Sequence, residues 1–219
     1  MKFLKKILKY RRKPLTAFLM LFNILRIKIK KIVYVLKYKV INKNISIGNA
    51  VRFHQKTILT GKGTIILKNN ISIGYKLGGF YWNGFTEIQA RYPNSEVIIA
   101  ENVAFNNSSF ILAANRIVIN SGCKIGANVT MMDFEAHGIS PDERDQIGQI
   151  GQISIGRNVW IGNNVVILKN ANIGNNSIVA ANSVVLKGDY PENCIIGGNP
   201  AKVVKNIPVY SECEIPSAR

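Results

Sequence analysis

Acidic residues are missing from the front of this chain. Residues 1–86 contain no Asp or Glu but hold 19 of the 29 Lys and Arg, and the first acid is Glu87. Residues 87–219 balance all 12 acids against the other 10 bases, so the formal net charge of +17 is concentrated at one end. Such asymmetry points to an anionic surface as partner, membrane or nucleic acid. No aromatic-rich basic groove or recognition motif accompanies the charge, which argues against nucleic acid. Cysteine is scarce as well: Cys123, Cys194 and Cys213 are odd in number and form no CxxC pair. This excludes a disulfide framework and fits a reducing, cytoplasmic compartment. With only His54 and His137 for imidazoles, no metal cage is expected and a three-histidine zinc site is excluded. Long apolar runs are also lacking. The uncharged stretch Leu15 to Leu25 has eleven residues. As a helix it would span about 16 Å, roughly half of a bilayer's hydrocarbon core. No small-residue cleavage site comes after it, and the chain returns at once to Arg26, Lys28, Lys30 and Lys31.

Residues 1–43, with 14 Lys and Arg around that short apolar run, read as a basic amphipathic helical segment lying on the inner face of the cytoplasmic membrane. The alternative is a helix that only caps the body. The body itself is different in kind. Of the 219 residues 47% are hydrophobic, and Asn and Gly are frequent, a mixture suited to short strands joined by tight turns. From Ile155 an aliphatic residue recurs every six positions, at Ile155, Ile161, Ile167, Ile173, Val179 and Val185. In the first five of these hexads the fifth position is small or β-branched: Val159, Val165, Ala171, Ser177 and Ser183. A weaker run passes through Ile99, Phe105 and Ile111, then Ile119, Ile125 and Met131, and isolated units at Ile47-Gly48 and Ile73-Gly74 put its start near residue 45. A six-residue period means a short strand and a turn. Three units close a triangular coil, and stacked coils bury a continuous apolar column that no coil could bury alone. The expected fold is therefore mainly β: a parallel β-helix over 44–200, with an extruded loop over 131–153 where the repeat stops, and a short C-terminal cap and tail over 201–219.

The hexads, together with the stretch from "ISIGRNVWIG" to "GGNPAKVVK", resemble the hexapeptide-repeat acyltransferases, including the maltose and galactoside acetyltransferases and bacterial polysaccharide O-acetyltransferases. The resemblance covers roughly residues 45–207 and is strongest over 115–205. It implies that the β-helix is left-handed, that the chain forms a homotrimer with sites between neighbouring prisms, and that acetyl-CoA is the acyl donor. The acceptor it implies is a sugar or surface polysaccharide, lipid-linked or free.

The loop sequence "MMDFEAHG" matches the family's D-x-[DE]-x-H-[GP] context at Asp133, Glu135, His137 and Gly138. The resemblance implies that His137 is the general base, since imidazole suits proton removal from a hydroxyl near neutral pH. Either Glu135 or Asp133 would orient it, by the logic of catalytic triads. Positional transfer gives acceptor contacts at Asn107 and Asn115, which equally fit turn-forming asparagines. On the donor side, Ala180, Ala181 and Ser183 would let the pantetheine arm approach, and Lys187, Lys202 and Lys205 would meet phosphates. Trp160 matches a family tryptophan near the thioester. The aromatic cluster Phe80, Tyr81, Trp82 and Phe85 would stack on sugar or fill a trimer interface. Two other functions stand beside sugar O-acetylation. One is N-acetylation of an amino-sugar nucleotide, against which the lack of a G-x-G-x-x-G unit before the repeat counts. The other is a non-enzymatic binding or scaffold module.

Overall fold

In the computed structural model of the chain, Leu15, Phe18, Phe22 and residues 43–208 can be described. The chain divides into two compact units, Met1–Lys43 and Asn44–Arg219. In the first unit Leu15, Phe18 and Phe22 are helical and exposed, and the Phe18 and Phe22 rings stack with centroids 6.5 Å apart. The rest of residues 1–42, and residues 209–219 of the tail with Cys213, lie outside the described residues. Among the described residues no helix is long and apolar enough to cross a membrane.

The second unit is a parallel β-helix with three sheets. The first sheet stacks seven strands: Ile45–Ile47, Thr64–Leu67, Glu96–Ile99, Arg116–Ile119, Gln152–Ile155, Ala171–Ile173 and Gly188–Tyr190. The second runs from Arg52–Phe53 through Lys124–Ile125, Trp160–Ile161 and Ile178–Val179 to Cys194–Gly198, and the third from Thr57–Gly61 through Phe110–Ala113 and Thr130–Met132 to Val184–Val185. The chain visits the sheets in turn, so each circuit makes one triangular coil. Pairing is parallel throughout except for Ala201–Asn206, which folds back antiparallel on Cys194–Gly198 and closes the end of the stack.

The hexad residues predicted to point inward do so. Ile155, Ile161, Ile167, Val179 and Val185 have no solvent exposure, and like residues lie above like: Ile155 on Ile173, Ile161 on Val179, Ile167 on Val185. Large aliphatic side chains fill the interior of every coil, with Ile65, Ile88, Ile99, Ile111, Ile117 and Met131 fully buried in the irregular first half. That half does not advertise its period because its third-sheet strands Thr57–Gly61 and Thr86–Ala90 have five residues each, and a loop separates Ser72–Ile73 from Thr86–Ala90.

The corners explain the abundance of Asn. Ahead of the second-sheet strands Asn70, Asn102, Asn158, Asn176 and Asn193 all have φ between 55° and 61°; ahead of the third-sheet strands so do Asn128, Asn164 and Asn182. Asn is the non-glycine residue that enters this left-handed region at least cost. Its side chain then links coil to coil: Asn128 Nδ2 donates to Asn164 Oδ1 at 3.1 Å and Asn164 Nδ2 to Asn182 Oδ1 at 3.0 Å.

Two loops leave this frame. One occupies 74–85. The other leaves after Met132 and returns at Gln152, so it is shorter at both ends than the predicted 131–153: Met131 is a core residue of the third sheet, and Gln152 and Ile153 already pair with Arg116 and Ile117. Replacing Asn164 by Ala should lower folding stability by about 1–2 kcal/mol, the cost of a Cβ-bearing residue with no local side-chain bond in the left-handed region. Replacing it by Gly should cost clearly less. Denaturant unfolding of both variants at one protein concentration checks the order.

Candidate active site

The 133–151 loop is built on a buried carboxylate. Asp133 has no solvent exposure, and its two oxygens accept N–H bonds from Ala114 at 2.6 Å, Asn115 at 3.1 Å and Arg116 at 2.6 Å. These donors lie at the corner one coil below, where the departing loop leaves the stack without its usual strand partner. The Asp133 carbonyl accepts from Gly151 N–H at 2.7 Å, pinching the two ends of the loop together. Burial pushes the Asp133 carboxyl above its ordinary value, and the N–H donors pull it back down. Next along, Phe134 is buried under the Arg91 guanidinium, 4.3 Å from the ring centroid, and bridges to Ile150.

Glu135 serves the same end from the outside. It forms an ion pair with Lys169 at 3.0 Å, and its Oε2 accepts the Gln149 N–H at 3.1 Å. Lys169 Nζ also donates to Gln149 Oε1 at 3.2 Å. These bonds tie the loop's outgoing and returning arms to the coil above. The bonds of neither carboxylate go to the histidine. His137 is exposed on the loop, and its Nδ1 lies 2.6 Å from the Arg144 carbonyl oxygen. A carbonyl can only accept, so the neutral ring carries its proton on Nδ1 and leaves the Nε2 lone pair free. The partner sought among acids is thus a main-chain atom seven residues on. The short 3-10 turn Pro141–Glu143 presents that carbonyl, and Gly138 and Gly148 allow the tight folding: a Cβ on Gly138 would come within 2.5 Å of Glu143 Cβ, and one on Gly148 within 2.5 Å of the His137 carbonyl.

Asn115 belongs to this neighbourhood, donating from Nδ2 to the Gly151 carbonyl at 2.9 Å. Asn107 does not. It is fully buried at the other end of the Phe110–Ala113 strand, and its amide is engaged with the 74–85 loop: Oδ1 accepts from Tyr75 N–H at 2.9 Å, while Nδ2 donates to the Tyr75 and Gly79 carbonyls at 2.9 and 2.8 Å. His54 is held below its ordinary value by burial and by the Arg52 charge.

The donor-side residues gather mostly at one corner near the end of the stack. Trp160 stands outward on the second sheet, 56% exposed, between Lys124 and Ile178. Ala180 N–H bonds the Ile196 carbonyl at 2.8 Å. Ser183 is buried, its hydroxyl donating to the Ala180 carbonyl at 2.7 Å and accepting from Gly198 N–H at 3.2 Å, so it knits the corner to the terminal hairpin. Ala181 is exposed beside them. Lys202 and Lys205 project from the hairpin strand opposite Gly197 and Ile195. Lys187 stands apart, past Val184–Val185 at the next corner. Lys169, Gln149 and the Arg144 carbonyl are not singled out by sequence. The first two sit where the coil above meets the loop, and a main-chain acceptor leaves no side-chain signature. An open polar hollow of about 410 Å³ runs along the first sheet beside the foot of the loop, lined by Arg116, Gln152, Asn170, Asn172 and Asp189.

Residues 152–187 match the family model described as bacterial transferase hexapeptide (six repeats). A Dictyostelium discoideum protein named "Putative acetyltransferase" is 42% identical over 115 residues, covering 52% of this chain and 60% of that protein. A Saccharomyces cerevisiae protein of the same name is 39% identical over 114 residues, covering 52% and 57%. The matches therefore span under two thirds of these relatives' own lengths. Among solved structures, a maltose O-acetyltransferase from Clostridium difficile 630 matches with a TM-score of 0.55 at 24% identity, over 80% of this chain and 77% of that one. A polysialic acid O-acetyltransferase matches with a TM-score of 0.56 at 23% identity, over 80% and 90%. The fold shared with them is the left-handed parallel β-helix of hexapeptide repeats.

Lys169, first through its hydrogen bond, and then the Gln149 N–H hold the Glu135 carboxyl below its ordinary value of 4.5. A carboxyl lowered by folding stabilises the fold fully above its ordinary value and loses that contribution as pH falls through the lowered one. The loop anchor should therefore persist just below pH 4.5 and fail on further acidification. Replacing Lys169 by Met should move the Glu135 titration, followed by carboxyl NMR, up toward 4.5. It should also make the 133–151 loop severalfold more sensitive to limited proteolysis at neutral pH. Unchanged titration and cleavage would contradict this anchoring.

Proposed function

We propose that this hexapeptide-repeat chain is an acyltransferase that moves an acetyl group from acetyl-CoA to a hydroxyl of a sugar or surface polysaccharide, with His137 as general base. The observation that carries the reading is the 2.6 Å contact between His137 Nδ1 and the Arg144 carbonyl on a loop anchored at both ends. It fixes the tautomer in which Nε2 accepts a proton. Nε2 takes the hydroxyl proton as the sugar oxygen attacks the thioester carbonyl carbon. The imidazolium then returns that proton to the departing thiolate as the carbon–sulfur bond breaks. No carboxylate charge backs the imidazole directly. The carbonyl dipole fixes the ring's orientation, and Glu135 and Asp133 act on the loop that carries it.

Acetyl-CoA fits the residues present at the terminal corner. Ala180, Ala181, Gly197 and Gly198 leave room for a pantetheine arm, exposed Trp160 offers a flat face, and Lys202 and Lys205 are free to meet phosphates. The acetyltransferase names carried by the relatives support the same donor. The hollow, whose polar lining is three amides, Ser154, one Arg and one Asp beside Val118, Ile153 and Ala171, suits a ligand rich in hydroxyls. The histidine loop and the donor corner border opposite edges of the third sheet. That sheet's outer face carries Leu112, Met132 and Leu168 in register, and Phe110, Thr130 and Val166 beside them. An apolar face between two half-sites supports a homotrimer in which neighbouring chains pack there and complete the site. The unit Met1–Lys43, with its 14 bases and with Leu15, Phe18 and Phe22 exposed at helical spacing, supports peripheral contact with an anionic membrane and hence a membrane-borne acceptor.

In a sample of three-chain mass by light scattering, acetyl-CoA should raise the melting temperature saturably. Replacing both Lys202 and Lys205 by Ala should weaken that shift. His137→Ala should keep it while losing about two to four orders of magnitude in turnover. No shift at millimolar acetyl-CoA, near-normal turnover by the His137 variant, or turnover confined to amino-sugar nucleotides would each sink the assignment. Full-length protein with Lys28, Lys30 and Lys31 changed to Gln should bind phosphatidylglycerol vesicles more weakly, with a shallower salt dependence. Equal binding by both proteins, measured by cosedimentation, would remove the membrane reading of that segment.

A further inference from the structure

The 74–85 loop is organised inside out. Its backbone is fastened to the prism by buried amides. Besides the three Asn107 bonds, Gln55 Nε2 donates to the Phe80 carbonyl at 2.8 Å, and Gln55 Oε1 accepts the Ser108 N–H at 2.8 Å. Gly84 N–H closes a turn onto the same Phe80 carbonyl at 2.8 Å. The fit leaves no space: a Cβ on Gly78 would lie 2.3 Å from Asn106 Oδ1, and one on Gly84 2.0 Å from Ser108 Oγ. Yet most large apolar side chains of this loop face outward, Tyr81 being half-buried and Phe85 packing edge-on against Phe110 with centroids 5.5 Å apart. Leu77 is 81% exposed, Trp82 80%, Phe80 62% and Tyr75 54%. Phe80 even occupies the left-handed region, with φ 61°, a conformation that an aromatic residue adopts only when its surroundings impose it. A loop shaped only by its own stability would turn these groups in.

We propose that this loop is a second membrane-docking element, by which the β-helix body itself seats on an anionic bilayer. The proposal takes its class of partner from the peripheral-membrane reading of Met1–Lys43, but it rests on different residues. Trp and Tyr favour the headgroup level and Leu and Phe the acyl boundary beneath it, which is the set exposed here. The charge around them is complementary. Lys76 is exposed within the loop, Lys56 lies 5.6 Å from the Phe85 ring centroid, and no acid occurs in the chain before Glu87. Asn83 and Lys76 are exposed beside the aromatics and would bond a hydroxyl or a headgroup alike, but the most exposed of these groups, Leu77, has nothing to offer a hydroxyl.

Trp82 and Trp160 are the two tryptophans, so full-length protein carrying Trp160→Phe has Trp82 as its single fluorophore. On phosphatidylglycerol vesicles with brominated acyl chains, Trp82 emission should shift to the blue and be quenched. A full-length variant with Leu77→Ser, Phe80→Asn and Trp82→Ser should partition onto the same vesicles at least tenfold more weakly. Its thermal unfolding should not be lowered, because Asn accepts the left-handed conformation that strains Phe80. Trp82 left unquenched on vesicles that do bind the protein would overturn the loop proposal and leave the segment reading intact. So would unchanged partitioning of the triple variant, a fall in its oligomer mass, or quenching of Trp82 by a soluble oligosaccharide in place of lipid. If Lys28, Lys30 and Lys31 prove dispensable while Trp82 is quenched, the loop stands without the segment.

Discussion

The coil-to-coil register at the corners is the constraint on which everything else in the β-helix depends. Strands of two to five residues gain little by themselves. They are held because each coil lays its backbone on the next in parallel, and a shift of one residue would turn the buried face outward. What fixes the register is the turn between strands. A residue at positive φ before a strand reverses the chain within a fixed count, and an Asn there also bonds the Asn of the neighbouring coil, as in the Asn158, Asn176 and Asn193 column. The corners thus set the strands, the strands set the aliphatic columns, and the columns exclude water from the interior.

A loop that leaves such a stack breaks one corner and orphans the backbone groups that the corner would have satisfied, a cost of about 1–3 kcal/mol for each buried group left unpaired. The chain solves this twice with the same device. At 133–151 a buried carboxylate collects the N–H groups of residues 114–116. At 74–85 a buried amide collects the polar atoms of Tyr75 and Gly79. Asp133 and Asn107 are plugs where the solenoid has been opened. Both loops are hydrogen-bonded to the stack at their roots, including the one that carries His137.

Much of this is legible in the sequence. The unbroken hexads from Ile155 to Val185 announce the fold, because coils without insertions repeat every eighteen residues and the aliphatic residues keep that spacing. The start near Ile45 and the presence of a histidine loop are also legible. The roles of the two acids are not. Asp133 and Glu135 precede His137 at spacings that suggest a triad, but their partners are main-chain N–H groups of the coil below and Lys169 of the coil above, contacts set by stacking and invisible to local spacing. The Arg144 carbonyl is a backbone atom and has no letter. The first loop shows in sequence only as an aromatic cluster, since its anchor Gln55 lies 19 residues before it and Asn107 lies 22 after it, and both look like ordinary turn residues.

Stacking also orders the functional parts along one axis. Parallel neighbours lie about 4.8 Å apart, so each coil advances by that much. The aromatic loop leaves from the second coil, the histidine loop joins the fourth to the fifth, and the alanine corner with its lysine hairpin lies on the sixth and seventh. Roots that are two coils apart are separated by about 10 Å along the prism. The aromatic loop, the histidine loop and the lysine hairpin succeed each other along the prism as they do in the sequence, because a solenoid converts distance along the chain into distance along its axis.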